Sequence, residues 1–264
     1  MTTKPIRIND KFTIGDNSLT IIAGPCAVES RTSLFNIARE IAPSPISILR
    51  GGAFKPRTSP NSFQGLGVEA LGYLKEASEH FDLPVISEMM SEKDSDLFNE
   101  HVDLVQIGSR NMQNFSLLKE IGTNVKKPVL LKRGFSNTVA EFLNAAEYLI
   151  KYGNENIILC ERGIRTFETI TRNTLDISAV AYIKEHTPFP IIVDPSHALG
   201  RKDLITPITL AGVACGADGI MVEVHDNPKM ALSDAEQALT PYEFAQLIDK
   251  LKPILTALGR EIAN

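Results

Sequence analysis

Two hydrophobic periods alternate along this chain. Short apolar runs rich in Ile, Val and Leu fall at residues 19–23, 46–49, 84–87, 102–107, 128–131, 157–159, 190–193 and 219–222. Between them lie stretches whose apolar residues recur three and four apart, the spacing of one helix face. These stretches are 30–41, 68–80, 92–99, 115–121, 138–152, 175–186, 205–215 and 241–258. Ser30 fits an N-cap before Leu34, Ile37, Ala38 and Ile41, and Pro241 fits a first helical turn. The chain therefore predicts eight strand–helix units. Runs without polar alternation suit parallel strands covered on both faces. Eight units in one chain of this length predict an α/β fold of the (β/α)8 barrel type. A doubly wound open sheet competes, but no glycine-rich dinucleotide fingerprint follows the first run. Residues 6–16 alternate weakly and end in Gly15-Asp16-Asn17-Ser18, which predicts a short hairpin or cap. The expected organisation is an N-terminal extension at 1–18 and one barrel domain at 19–264.

Composition narrows the class. The 264 residues are 43% hydrophobic and 22% charged, with a net charge of −5, ordinary values for a globular protein. An acidic balance argues against general binding to nucleic acid or anionic membranes. No apolar run is long enough to span a bilayer. Three cysteines, Cys26, Cys160 and Cys215, do not make a disulfide framework. A cytoplasmic, soluble protein is expected.

Against that acidic background, cations concentrate. The stretch Leu49-Arg50-Gly51-Gly52-Ala53-Phe54-Lys55-Pro56-Arg57-Thr58-Ser59-Pro60 carries three of them with two glycines and two hydroxyls. Guanidinium, ammonium and hydroxyl groups all suit phosphate oxygens. In a barrel, chemistry gathers where strands run out into the following loops. Those positions hold Cys26, Arg50, Glu88, Ser109-Arg110, Lys132-Arg133, Glu161-Arg162, Asp194 with His197, and Glu223. With Lys55, Arg57 and Arg165, the cations at this end call for anions, and two phosphate- or carboxylate-sized groups are a sensible load. Glu88 and Glu161 offer salt-bridge partners to some of the arginines. Cys26, His197, Glu223 and Asp234 are metal candidates, because the first and last strands are neighbours in a closed barrel. Thiolate, imidazole and carboxylates together suit Mn, Fe, Co or Zn better than Mg or Ca. Cys215 falls within a helical stretch, and Cys160 should point away from Glu161 by strand alternation.

At these residues the chain resembles a known family, the type I 3-deoxy-D-arabino-heptulosonate 7-phosphate (DAHP) synthases of the short β-type branch. The resemblance is carried by Ile22-Ala23-Gly24-Pro25-Cys26-Ala27-Val28-Glu29-Ser30, the 49–60 stretch, Gln106-Ile107-Gly108-Ser109-Arg110-Asn111-Met112-Gln113-Asn114, Leu131-Lys132-Arg133-Gly134, Leu159-Cys160-Glu161-Arg162-Gly163 and Val193-Asp194-Pro195-Ser196-His197. It implies a transferase that joins phosphoenolpyruvate, erythrose 4-phosphate and water into DAHP and phosphate, the first step towards the aromatic amino acids. It implies one divalent metal ion (Mn, Fe, Co or Zn) on Cys26, His197, Glu223 and Asp234. Arg50, Lys55, Ser109, Arg110, Lys132 and Arg162 are then expected to bind phosphoenolpyruvate. Arg57, Thr58 and Ser59 are expected to hold the erythrose 4-phosphate phosphate. Lys55 is the expected proton donor, with a pKa lowered by its cationic neighbours, and His197 and Glu88 are alternatives for proton handling. The resemblance also implies a homodimer or homotetramer. Relatives often carry an N-terminal regulatory domain, and the short stretch before the first barrel strand leads us to expect no built-in feedback site.

Two other readings stand beside this one. The 3-deoxy-D-manno-octulosonate 8-phosphate synthases share the fold and the phosphoenolpyruvate chemistry but carry an Asn-centred motif where this chain has Pro56-Arg57-Thr58. A non-catalytic sugar-phosphate-binding barrel is the other, and it gives no reason to retain the four metal candidates together.

Overall fold

The computed structural model describes residues 2–55, 59 and 61–263. Strands β1 (Ile6–Arg7) and β2 (Thr13–Ile14) form an antiparallel hairpin. Eight parallel strands follow: β3 (Thr20–Gly24), β4 (Ile48–Arg50), β5 (Val85–Glu88), β6 (Leu104–Ile107), β7 (Val129–Lys132), β8 (Ile157–Glu161), β9 (Ile191–Val193) and β10 (Gly219–Glu223). They pair in chain order, and β10 closes on β3 through the register Met221↔Ile22. The helices are α1 (Arg31–Ile41), α2 (Val68–Phe81), α3 (Ser95–His101), α4 (Phe115–Asn124), α5 (Val139–Lys151), α6 (Ile177–His186), α7 (Pro195–Leu199), α8 (Ile205–Ala214) and α9 (Pro241–Ala257). The expected (β/α)8 barrel and its N-terminal hairpin are both present.

Three local differences have physical causes. Residues 92–94 form a 3₁₀ turn capped by the Ser91 side chain, and the α-helix begins only at Ser95. The helix expected from 175 begins at Ile177, because the Asp176 side chain accepts from Ala179 N and caps it there. After β9 the chain makes an additional short helix, α7, which Asp194 caps and Pro195 opens.

Strand pleating sorts the side chains into two cores. Ile22, Ile48, Ile86, Leu104, Leu130, Ile158, Ile192 and Met221 fill the lumen. Their neighbours, such as Ile21, Leu49, Val105, Leu131, Leu159 and Val193, pack outward with the helices. Ile6 and Ile14 join the lumen cluster, so the hairpin packs over the open bottom of the barrel. It is tied there by Lys4 N donating to Pro188 O at 2.7 Å and by Lys184 Nζ donating to Thr3 Oγ1 at 2.6 Å.

Candidate active site

The same pleat builds the site. Two residues after each lumen residue the side chain again points inward. That rule carries Arg50, Glu88, Gln106, Lys132, Cys160, Asp194 and Glu223 into one layer above the apolar plug. Gly24 occupies the matching place on β3, and with φ +144° it allows the backbone of Arg50 to pass where a Cβ would lie 2.3 Å from its carbonyl oxygen. Cys26 and Arg162 continue the inward series one step higher.

A cavity of about 400 Å³ opens over this layer. Among the expected site residues it is lined by Cys26, Arg50, Lys55, Ser59, Glu88, Ser109, Arg110, Lys132, Arg162, His197 and Asp234. Glu223 lies fully buried behind His197 and Arg50. Arg57 and Thr58 lie outside the described residues.

Cys26, His197, Glu223 and Asp234 converge, each offering one donor atom within 4.8 Å of the others. Cys26 Sγ stands 3.9 Å from His197 Nε2 and 3.0 Å from Asp234 Oδ2. His197 Nε2 is 2.9 Å from Glu223 Oε1. Asp234 holds its place with a left-handed backbone, φ 55°, while its Oδ1 pairs with Arg172 Nη1 at 3.2 Å. One thiol, one imidazole and two carboxylates at this spacing fit a borderline divalent cation.

Charge balances closely around that cluster. Arg50 Nη1 lies 3.2 Å from Glu223 Oε1, and both side chains are buried. Gln237 Nε2 donates to Glu223 Oε2 at 2.5 Å. Burial alone would push the Glu223 carboxyl up, but His197, Arg50 and Lys55 hold it well below the usual carboxylate range. Burial would lower the His197 imidazole, yet the charges of Asp194 and Glu223 raise it to about 10. A cation bound at Nε2 would displace that proton and take over the neutralisation of Glu223.

Lys55 departs from expectation. Its Nζ donates to Cys26 Sγ at 2.8 Å and to Cys26 O at 3.3 Å. Burial lowers its pKa, but the charges of Cys26 and Glu223 outweigh that and raise it. The expected depression by neighbouring cations is therefore corrected: acidic neighbours dominate over Arg50, and the ammonium stays charged.

Two further corrections concern Arg133 and Glu88, while Glu161 does pair with an arginine as expected. Arg133 and Glu161 sit one residue off the inward series, so they face the helices. Arg133 Nη1 is 2.8 Å from Glu161 Oε2 and 3.0 Å from Asp176 Oδ2, away from the cavity. Glu88 makes no salt bridge to an arginine among the described residues; it accepts from Gln106 Nε2 at 3.1 Å. Gly108 leaves room for it, since a Cβ there would lie 2.0 Å from Glu88 Oε1. Cys160 does point away from Glu161, into the lumen, and burial pushes its thiol far up. Cys215 caps the end of α8 and donates to Ile177 O at 3.2 Å.

Sequence reasoning gave Asp194 no role, although it holds two site residues at once. Its Oδ2 is 2.8 Å from His197 Nδ1 and 2.5 Å from Lys132 Nζ, and its Oδ1 accepts from His197 N. Its place in the inward series was the available signal. Gln237 and Arg172 were also missed; both come from loops, where no period reports direction.

The anion-binding side is equally defined. Arg50 Nε is buried and has no hydrogen-bond partner among the described residues. Arg162, 5% exposed, donates to His197 O at 2.9 Å and pairs with no carboxylate among the described residues. The Arg50 Nε is thus a buried donor that lacks an acceptor, and an anion in the cavity would supply one.

The family model for the DAHP synthetase I family matches residues 3–257. The phospho-2-dehydro-3-deoxyheptonate aldolase of Thermotoga maritima is 52% identical over 249 residues, covering 94% of this chain and 73% of that protein. The crystal structure of the Thermotoga maritima DAHP synthase superposes with TM-score 0.94 at 51% identity, covering 98% of this chain and 76% of that one. A truncated form of the Thermotoga maritima enzyme gives TM-score 0.91 at 47% identity, with 98% and 95% covered. The 2-dehydro-3-deoxyphosphooctonate aldolase of Geobacter sulfurreducens is more distant, 29% identical over 272 residues, with 96% and 98% covered. By a match that spans nearly all of its residues, and by likeness in both sequence and structure, the chain belongs to the DAHP synthetase I family.

Proposed function

We propose that the barrel mouth is where this chain carries out the DAHP synthase reaction, joining phosphoenolpyruvate to erythrose 4-phosphate with water and releasing phosphate. The observation that carries this reading is one cavity bordered both by guanidiniums without carboxylate partners and by Cys26, His197 and Asp234, whose donor atoms converge with that of Glu223 behind them. Cys26, His197, Glu223 and Asp234 hold one divalent ion, Mn, Fe, Co or Zn. When bound, the ion supplies Lewis acidity for the aldehyde of erythrose 4-phosphate.

The chain's own residues bind, orient and move protons. Arg50, Arg110, Lys132 and Arg162, with Ser109, hold the carboxylate and phosphate of phosphoenolpyruvate so that its carbon 3 faces the aldehyde. Asp194 anchors Lys132 and the far nitrogen of His197, which fixes the imidazole plane. Lys55, charged and 2.8 Å from the Cys26 sulfur, stands where a new alkoxide needs a proton. Glu88, held by Gln106 at the cavity wall, orients the water that adds to carbon 2. Collapse of the resulting hemiketal phosphate breaks its C–O bond and frees phosphate. Arg57, Thr58 and Ser59 take the phosphate of the four-carbon sugar. The assembled form is a homodimer or homotetramer working in the cytoplasm.

The test is phosphate release with phosphoenolpyruvate plus erythrose 4-phosphate or arabinose 5-phosphate, across Mn, Fe, Co and Zn, before and after chelation. The expected result is metal-dependent turnover with the four-carbon sugar. Preference for the five-carbon sugar would move the chain to the octulosonate reading, and release that survives exhaustive chelation would remove the metal.

A further inference from the structure

The mouth cations divide into two sets. Arg50, Lys132 and Arg172 each pair with a carboxylate, and Lys55 with the Cys26 sulfur. Arg110, Arg162 and Arg165 form no salt bridge among the described residues. Like charges gathered in this way repel unless something between them is attractive. That something is Phe135. The guanidinium carbons of Arg162, Arg165 and Arg110 lie 4.7, 5.2 and 5.6 Å from its ring centroid. The π face is electron-rich and attracts each cation. The main chain ties the same two loops together, with Arg165 N donating to Phe135 O at 2.7 Å. Arg162 is buried, whereas Arg110 and Arg165 are exposed; Arg110, Phe135 and Arg162 line the cavity, and Arg165 lies beside them on the Phe135 ring.

We infer that Phe135 is a positioning residue and Arg165 an outer substrate contact of the phosphoenolpyruvate seat. The ring gathers three guanidiniums into one fan that receives a dianionic phosphate. Arg162 meets the anion from within, and Arg165 meets it from the rim. This rests on the reading of the mouth as the phosphoenolpyruvate site.

Steady-state kinetics on the metal-loaded enzyme test it, varying each substrate separately at low and high salt in Arg165→Met, Phe135→Leu, Phe135→Trp and Arg162→Met. Arg165→Met and Phe135→Leu are expected to raise KM for phosphoenolpyruvate about three- to tenfold. KM for erythrose 4-phosphate and kcat should move less than about twofold. Phe135→Trp should restore the phosphoenolpyruvate KM, and Arg165→Met should flatten its salt dependence. An unchanged phosphoenolpyruvate KM in both Arg165→Met and Phe135→Leu would overturn the inference. So would an equal rise in both KM values, or a Phe135→Leu defect that tryptophan fails to rescue. Should Phe135→Leu not fold, Arg165→Met decides alone, since its side chain is exposed and its backbone hydrogen bond is retained. Arg162→Met separates the two layers of argument. If it weakens phosphoenolpyruvate while the other two variants do not, only this inference falls; if it too changes nothing, the seat itself was misread.

Discussion

Asp194 joins the two halves of the site, because one of its oxygens meets both the His197 imidazole and the Lys132 ammonium. Asp194→Asn keeps the shape but removes the charge that fixes both partners. We expect metal affinity to weaken about 10- to 100-fold, the usual effect of losing a carboxylate behind a ligating histidine. Equilibrium dialysis against Mn or Zn checks this, and an unchanged affinity would make Asp194 a helix cap alone. The cysteines give a second prediction at this scale. Cys26 lines the cavity, whereas Cys160 is sealed in the lumen with its thiol pushed up by burial. Iodoacetamide should therefore label Cys26 in the metal-free native enzyme and spare Cys160. A bound divalent ion should suppress the Cys26 labelling, as read by peptide mass spectrometry. Residue type and position singled out Cys26, His197, Glu223 and Asp234 in the sequence, and the fold brings one donor atom of each within 4.8 Å of the others. The charge state of Lys55 was not legible there, because it depends on the Cys26 sulfur and Glu223, whose distances only the fold sets.

At the scale of elements, the strands were readable because short apolar runs have few alternatives between helical stretches. Their parity was less so, since parallel strands are apolar on both faces and show no polar alternation. Arg133 and Arg162 illustrate the consequence. Each follows a strand's apolar run, yet one faces the helices and the other the cavity. Arg133→Met leaves Glu161 buried without its partner and should destabilise the fold by about 3–5 kcal/mol. Arg162→Met, which strands no carboxylate, should cost far less stability while weakening phosphoenolpyruvate. Urea unfolding of the two variants checks the contrast, and equal losses would contradict it. Helix α9 carries a reciprocal cap in which Thr240 Oγ1 accepts from Glu243 N and Thr240 N donates to Glu243 Oε2. Thr240→Ala should cost about 1 kcal/mol near neutrality. Burial would raise the Glu243 carboxyl, but Lys202 and the Thr240 hydrogen bonds lower it on balance. A depressed folded pKa contributes stability above the unfolded value and loses it as pH falls through the folded one. The Thr240→Ala deficit should therefore shrink on acidification through the carboxylate range, as followed by urea unfolding at stepped pH.

For the whole molecule, closure of the sheet does the assembling. Residues from the first, seventh and eighth barrel strands and the loop beyond meet only because β10 pairs with β3. The hairpin packs over one end of the lumen, the apolar layer fills its middle, and the ionisable layer opens at the other end. No helix among the described residues is long and apolar enough to cross a membrane. The central claim is that this closure builds one divalent-metal site with Cys26 as a ligand. Titration of the chelated chain with Co²⁺, followed by its sulfur-to-metal charge-transfer absorption, tests it most directly. The account predicts one cobalt per chain and a band that disappears in Cys26→Ser. A band that survives in Cys26→Ser, or no stoichiometric uptake by the wild-type chain, would contradict it.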